Sequence, residues 1–404
     1  MTAPLLASLA SRSKEGRLPP WARQACQRLD ETGLPHRRVE AWRTTDPEPF
    51  LKRLSVPVPS VGARPDDVDL VLTSEGQWQV AGMLPDGVCL LSLEEAVRSE
   101  HPVARAWIDA RSGGEGLSEI VRAHGGAGGL LDVRGVIDRP LKVRRLPQDG
   151  LAILPVLLVH LAPGASLVLD DTCVGAETML SAGHGVLGAD ARLHWIRRVP
   201  RELEGAWWCD TQAFEVAEGA RLAIHDLMTG AAWHRQDLRV SLTGEAAELD
   251  FRSLLAATGS VHGDIRLEVR HLASGTTSRQ VHRGLHGGAA RGIFTGLVHV
   301  PQGVGRIRSD QELRALMLSQ GASALCQPQL EILADDVSCS HGATVGQLAE
   351  EALFYLRARG LDQLEARALL AAAFAAPAME SLPAEAARVV RRDLVSAGLA
   401  REDA

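Results

Sequence analysis

Between Leu131 and Cys339 the apolar residues come in short strand-length runs, broken by Gly and Asp turn residues, and few segments carry a helix-length period. One small motif recurs within this stretch: Gly164-Ala-Ser-Leu167, Asp190-Ala-Arg-Leu193, Gly219-Ala-Arg-Leu222 and Ala246-Ala-Glu-Leu249. Its alanines at 165, 191, 220 and 247 are spaced by 26, 29 and 27 residues. Gly288-Ala-Ala-Arg-Gly-Ile293 and Gly321-Ala-Ser-Ala324 are looser echoes. A near-constant period with one turn and one strand per repeat predicts a solenoid, in which each coil buries its apolar side against the next. The turns of a β-sandwich recur about every 8–12 residues without a longer period, so a β-helix is the better fit.

The pattern changes on both sides of this core. Residues 1 to about 60 read as helical, then irregular. Pro19-Pro20 opens a helix through Trp21, Ala25, Arg28 and Leu29 that Gly33 closes, and Pro47, Pro49, Pro57 and Pro59 prevent any long helix after it. Residues 61–130 mix short strands with a helix over Ser92–Arg98, where Ser92 and Glu95 form a capping box. Gly125-Gly-Ala-Gly-Gly129 reads as a hinge, since no Gly-Lys-Ser/Thr follows to make a phosphate loop. After Gly342 three helices are expected. The first follows a capping-box pattern at Thr344–Gln347, carries Leu348, Ala352, Tyr355 and Leu356, and ends at Gly360. The second opens at Asp362–Glu365 with Leu364, Ala368, Leu369 and Ala372, and the third spans about Pro383–Ser396 with Arg388, Arg391 and Arg392. The division is thus a mixed helical region over 1–130, a β-helix core over 131–342 and a small helical domain over 343–404.

Composition narrows the function. The 404 residues carry a net charge of −7, which argues against nucleic acid or an anionic membrane as partner. Leu5–Ala10 is apolar but has no charged flank ahead of it, and Leu151–Ala162 is too short to cross a bilayer, so a cytoplasmic protein is expected. The six cysteines form no Cys-x-x-Cys and no tight cluster. A nucleophile elbow, a Walker lysine and a dinucleotide fingerprint are all missing, so the chain reads as a non-enzyme.

Candidate chemistry concentrates at Cys339 and His341. On a strand, residues two apart face the same side, and a thiolate beside an imidazole suits iron, sulfur, copper or zinc. The plain alternative is a small buried cysteine and a hydrogen-bonded turn histidine. Two ligands do not complete a metal site, so a functional pair needs ligands from another chain. Asp335-Asp336 face opposite sides of a strand and read as turn residues rather than an acid–base pair. His262, His271, His282, His286 and His299 read as scattered surface or inter-coil positions, and Trp207-Trp208-Cys209 as half core, half edge.

Leu330-Glu-Ile-Leu-Ala-Asp-Asp-Val-Ser-Cys-Ser-His-Gly-Ala-Thr-Val-Gly346 and Glu351-Ala-Leu-Phe-Tyr-Leu-Arg-Ala-Arg-Gly360 closely resemble the SufB/SufD family of the SUF iron–sulfur cluster assembly system. Arg37-Arg-Val-Glu-Ala-Trp-Arg-Thr-Thr45 is similar to that family's Arg/Lys-x-x-Glu-x-Trp-Arg/Lys signature, and Cys-Ser-His-Gly-Ala-Thr resembles the SufD branch. Thr44, Leu333 and Arg314–Ser319 depart from the family pattern. The resemblance implies a right-handed parallel β-helix with helical flanks and a scaffold role rather than catalysis. It also implies pairing with a SufB-like paralogue through the β-helix and docking of a SufC-like ATPase on the C-terminal helices, where Tyr355, Leu356, Arg357, Leu364 and Leu369 lie. His341 then maps onto the histidine implicated in nascent cluster formation, a metal ligand shared with the partner, and Cys339 onto the motif's cysteine. No stably bound cofactor is implied, only a transient cluster or iron at the interface, and the chain alone would be able to self-pair. Two other readings compete. A carbohydrate-cleaving β-helix would need aromatic platforms, and aromatics make up only 4%. A purely structural partner would leave Cys339 and His341 replaceable.

Overall fold

Each repeat folds into strands that enter two different sheets. The computed structural model describes residues 18–54, 68–72, 77–110, 116–124, 128–145, 154–174, 178–203 and 205–399. Pro57, Pro59 and the hinge at Gly125–Ala127 lie outside the described residues. From Gly128–Val133 onward, consecutive strands alternate between a nine-stranded and a ten-stranded sheet, and each pairs in parallel with the strand two further along. The result is a mainly β structure, a parallel solenoid flanked by helices at both ends of the chain.

The recurring alanines occupy one corner of this coil. Ala165, Ala191, Ala220 and Ala247 are fully buried. The amide of the residue entering the next coil donates to each of their carbonyls, as Arg192 does to Ala165 and Arg221 to Ala191, both at 2.8 Å. The residue before each alanine takes a left-handed conformation: Gly164, Asp190, Gly219 and Ala246 have φ of 71°, 56°, 63° and 54°. That conformation explains the preference for Gly or Asp there, and the crowded corner explains the small residue that follows. The looser echoes have a different meaning. Ala290 and Ala322 precede strands of the other sheet, so they mark the second corner of the coil.

Most strands are covered on both faces, which hides the alternation expected of a half-exposed sheet. Trp208 points into the lumen, whereas Cys209 on the opposite face is buried under the N-terminal helices and Trp207 stacks on Trp233 at 5.9 Å. The late histidines are a correction to the surface reading. His271, His282 and His286 are buried, with His282 bonded to Ser253 of the preceding coil at 2.8 Å.

The helices cover the sheets' outer faces. Trp42, Phe50 and Trp107 pack with Leu158, Leu180 and Trp233 of the nine-stranded sheet. Ala371, Ala375, Val390 and Leu394 pack on Leu227, Leu254 and Leu285 of the ten-stranded sheet. Helices Pro20–Thr32, Leu93–Arg98, Gln363–Ala375 and Ala384–Ser396 form where expected, and the Ser92–Glu95 and Asp362–Glu365 capping boxes are both closed. The capping box read at Thr344–Gln347 does not form, because the last strand runs on to Gln347 and the helix starts at Glu350. Ladder pairing with Arg314–Met317 outweighs the local cap signal. Leu353, not Tyr355, is the buried residue of that helix.

Candidate functional site at the open end of the solenoid

The last coil leaves both sheets unfinished. Ser323–Ile332 and Val337–Gln347 are the outermost strands of their sheets, each paired on one side only. Cys339 and His341 lie on the second, in register with Ser309 and Gln311. Those two neighbours are buried in the lumen, so the pair shares the inward face, as residues two apart on a strand must. With no further coil above them, Cys339 is half-buried against the core and His341 is exposed. Asp336 serves a turn, its carboxylate accepting from the Arg306 amide at 2.9 Å.

Burial pushes the Cys339 thiol up, against a weaker opposing hydrogen bond from the Ser309 backbone. Cys326, facing inward on the neighbouring outermost strand, is pushed up to about 11 by burial. Sequence reasoning passed over Cys326, although its alternation with Leu330 and Ile332 was a signal. Both thiols are therefore protonated at neutral pH, and ligation by either requires loss of a proton. Among the described residues, no third Cys, His, Asp or Glu joins Cys339 and His341 as a close ligand group.

The lumen beneath them changes character along the solenoid. One inward column runs Leu169, Trp195, Ile224, Phe251, Gln280, Gln311, His341, and its neighbour runs Leu167, Leu193, Leu222, Leu249, Ser278, Ser309, Cys339. Both columns switch from apolar to polar for the last three coils. A hydrogen-bonded chain follows the second: His271 Nε2 to Ser278 at 3.0 Å, and Ser278 to Ser309 at 2.9 Å. Its direction can be worked out. Thr276 donates its one hydroxyl proton to the Ala273 carbonyl, so it accepts from His271 Nδ1–H. Burial pulls His271 down to about 4, so the ring is neutral and Nε2 accepts from Ser278, which in turn accepts from Ser309. Among the described residues, no protein group hydrogen-bonds the buried side-chain amides of Gln280 and Gln311, polar groups where the earlier coils carry apolar side chains in the same column. Such local violations of good packing are characteristic of functional regions.

The other sequence-derived positions separate into two groups. The segment Arg37–Thr45 locks the N-terminal region onto the solenoid. Trp42 lies under the buried Arg235 guanidinium at 3.8 Å, Arg235 pairs with Asp264 at 2.7 Å, and Thr45 donates to Asp264. On the C-terminal helices, Tyr355 and Leu364 are exposed, as are Arg357 and Phe354, whereas Leu356 and Leu369 are half-buried. Phe354 was not singled out from the sequence, yet it is 74% exposed, more than Tyr355 at 56%.

Residues 145–374, more than half of the chain, match the family model described as the SUF system FeS cluster assembly, SufBD core domain. The chain is 26% identical over 387 residues to the iron–sulfur cluster assembly protein SufD of Escherichia coli, covering 90% of this chain and 89% of that protein. It is 34% identical over 201 residues to an iron–sulfur cluster assembly SufBD family protein of Synechocystis, covering 49% of this chain and 43% of that one. A third relative, the SufD of Bacillus subtilis, is 30% identical over 156 residues, 39% of this chain and 35% of its own length. No helix among the described residues is long and apolar enough to cross a membrane.

Proposed function

The chain belongs to the SufBD family of the SUF iron–sulfur cluster assembly system, and from that membership we propose that it is a SufD-type scaffold whose open end is completed by a SufB-like paralogue. The observation that carries the proposal is the unfinished last coil. Its outermost strand exposes backbone donors and acceptors together with His341, Val345 and the adjoining Leu333. An edge of this kind pairs readily with a strand of another chain. A second copy is the weaker occupant, since two His341–Cys339 pairs bring only the same buried, protonated thiols. In the mixed pair, His341 supplies an imidazole that ligates iron when neutral, and the paralogue supplies thiolates. Cluster and iron are cargo here, with no cofactor held permanently.

The exposed Phe354, Tyr355, Arg357 and Leu364 fit a docking surface for a SufC-like ATPase, with Leu356 and Leu369 supporting it from the half-buried side. ATP-driven movement of that subunit would then reach the scaffold interface through the C-terminal helices. The chain itself acts in the cytoplasm without catalysing a reaction.

The test is co-purification with SufB-like and SufC-like partners, followed by anaerobic cluster reconstitution. His341→Ala is expected to leave the complex intact and to lower cluster assembly at least about tenfold, as loss of metal-site groups commonly does. Undiminished assembly would sink the ligand role. A second reading, a structural partner with no ligand role, is favoured at one residue by the raised, core-facing Cys339 thiol. Cys339→Ser is accordingly expected to retain assembly.

A further inference from the structure

At the opposite end of the solenoid, three side chains from separate elements converge. His101 precedes and caps the helix Pro102–Asp109, Asp132 lies on the strand Gly128–Val133, and His160 lies on Val156–Leu161. Asp132 and His160 are register partners on the sheet's outer face, and the helix carries His101 in above them. One ligand atom from each lies within 4.8 Å of the other two. Asp132 is buried and both imidazoles are half-buried, leaving the group an open approach from solvent.

We propose that His101, Asp132 and His160 form a binding site for a divalent first-row transition metal of the zinc(II) or iron(II) class. The donor set selects that class. Two imidazoles and one carboxylate are too nitrogen-rich for calcium or magnesium, which take oxygen ligands. They are the usual complement for zinc, or for iron(II) with coordination positions left to water. Metal–nitrogen bonds of about 2.0–2.1 Å place ligand atoms roughly 3.3 Å apart in a tetrahedron, so on binding the widest pair closes by up to about 1.5 Å and the His160 Nδ1–Asp132 Oδ1 contact opens by roughly 0.7 Å if those two atoms are the ligands. The contacts given up are weak. His101 Nδ1 accepts from the Val103 amide at 3.3 Å, a long bond at a helix start already favoured by Pro102. Arg134 Nε reaches Asp132 at 3.2 Å from a side chain that is 76% exposed, so it is free to swing into water when a cation takes its place. His160 Nδ1 lies 2.6 Å from Asp132 Oδ1, a contact that fixes the ring against the carboxylate.

The simpler reading is a hydrogen-bonded His–Asp pair with a second histidine serving only as a helix cap. It accounts for each contact singly but not for two rings meeting at 5.1 Å over one carboxylate. The site is independent of the cluster-assembly proposal. Seven strand spacings of about 4.8 Å, roughly 34 Å in all, separate it from the last coil.

The experiment uses the full, untagged chain carrying Cys326→Ser, Cys339→Ser and His341→Ala, so that the inward face of the open end keeps neither thiol nor the His341 imidazole. After chelator treatment it is titrated with zinc(II) alone and, anaerobically, with iron(II) alone, and bound metal is counted by elemental analysis. Cobalt(II) absorption reports the coordination geometry. One saturable equivalent is expected, weakened at least tenfold by His101→Ala, Asp132→Asn and His160→Ala, with the cobalt bands lost in each. His101→Ala is the decisive variant if the buried substitutions fail to fold, because its ring is half-exposed at a helix start. Absence of one-to-one binding by either ion, or binding that survives His101→Ala in a folded chain, overturns the proposal.

Discussion

The two ends of the solenoid solve the same problem in opposite ways. At the first end the sheets stop parallel growth through antiparallel strands: Trp78–Val80 against Leu70–Leu72, and Val88–Ser92 against Gly128–Val133. The N-terminal helices then cover the nine-stranded sheet's outer face from there to its middle strands, where the Arg235–Asp264–Thr45 network holds them. At the last end no described residue pairs with the free edges of the outermost strands, and the two inward columns that lead to Cys339 and His341 turn polar. A stacked-coil protein needs a cap at each end for solubility. An uncapped end is therefore where the proposed partner would dock, and it carries Cys339 and His341, the proposed ligand pair.

Acid should break this comparison most severely. Burial pulls His225, His271 and His286 down to about 4 from the usual 6.5. The folded chain thus binds fewer protons than the unfolded one between those values. The stability from keeping these rings neutral is complete above about pH 6.5 and is lost as pH falls toward 4, on the order of 3 kcal/mol for each ring. Asp226, raised to about 6 by burial, works the other way, one group against three. Hydrogen exchange at about pH 5 should show the coils from His225 onward losing protection before residues 128–187, because the depressed rings lie in the later coils. Uniform loss along the solenoid would contradict that ordering.

Beneath the N-terminal segment, Asp264→Ala leaves the fully buried Arg235 with Asp237 as its remaining carboxylate partner. A loss of about 3–5 kcal/mol in urea unfolding is expected, with residues 18–54 becoming the first cleaved in limited proteolysis. Unchanged stability would mean that the signature segment is not the clamp described here. The smallest effect on the isolated chain belongs to the open end. Leu333→Asp with Val345→Asp, at positions 59% and 41% exposed, should change its stability by no more than about 0.5 kcal/mol. The same pair should weaken binding of a SufB-like partner by about 2 kcal/mol, or roughly 30-fold, in a calorimetric titration. Equal losses in both measurements would place these residues in the fold and not at an interface.

Much of this architecture could be read before any coordinates. The alanine spacing located one corner of four successive coils, and the Ser92 and Asp362 capping boxes located two helix starts, because each depends on residues close in sequence. The same local reading failed at Thr344–Gln347, where a cap signal lost to pairing with a distant strand. It left His271, His282 and His286 open between surface and inter-coil positions, and the buried, inter-coil alternative holds, since a histidine's placement depends on the coils above and below it. His341 stood out as a candidate ligand in the sequence through its neighbour Cys339, and the proposed role still rests on that pairing. His101, Asp132 and His160 did not, although the 28 residues between the last two match one turn of the coil.

The sequence by itself determined the coil period, the positions of its left-handed corners and the presence of helices on both flanks. These follow from local backbone preference and from the burial of small residues where chains approach closely. Only the tertiary structure decided which end is capped, where the lumen becomes polar and which distant side chains meet. Those outcomes depend on register between strands one coil apart, and register is set jointly by every turn that precedes them.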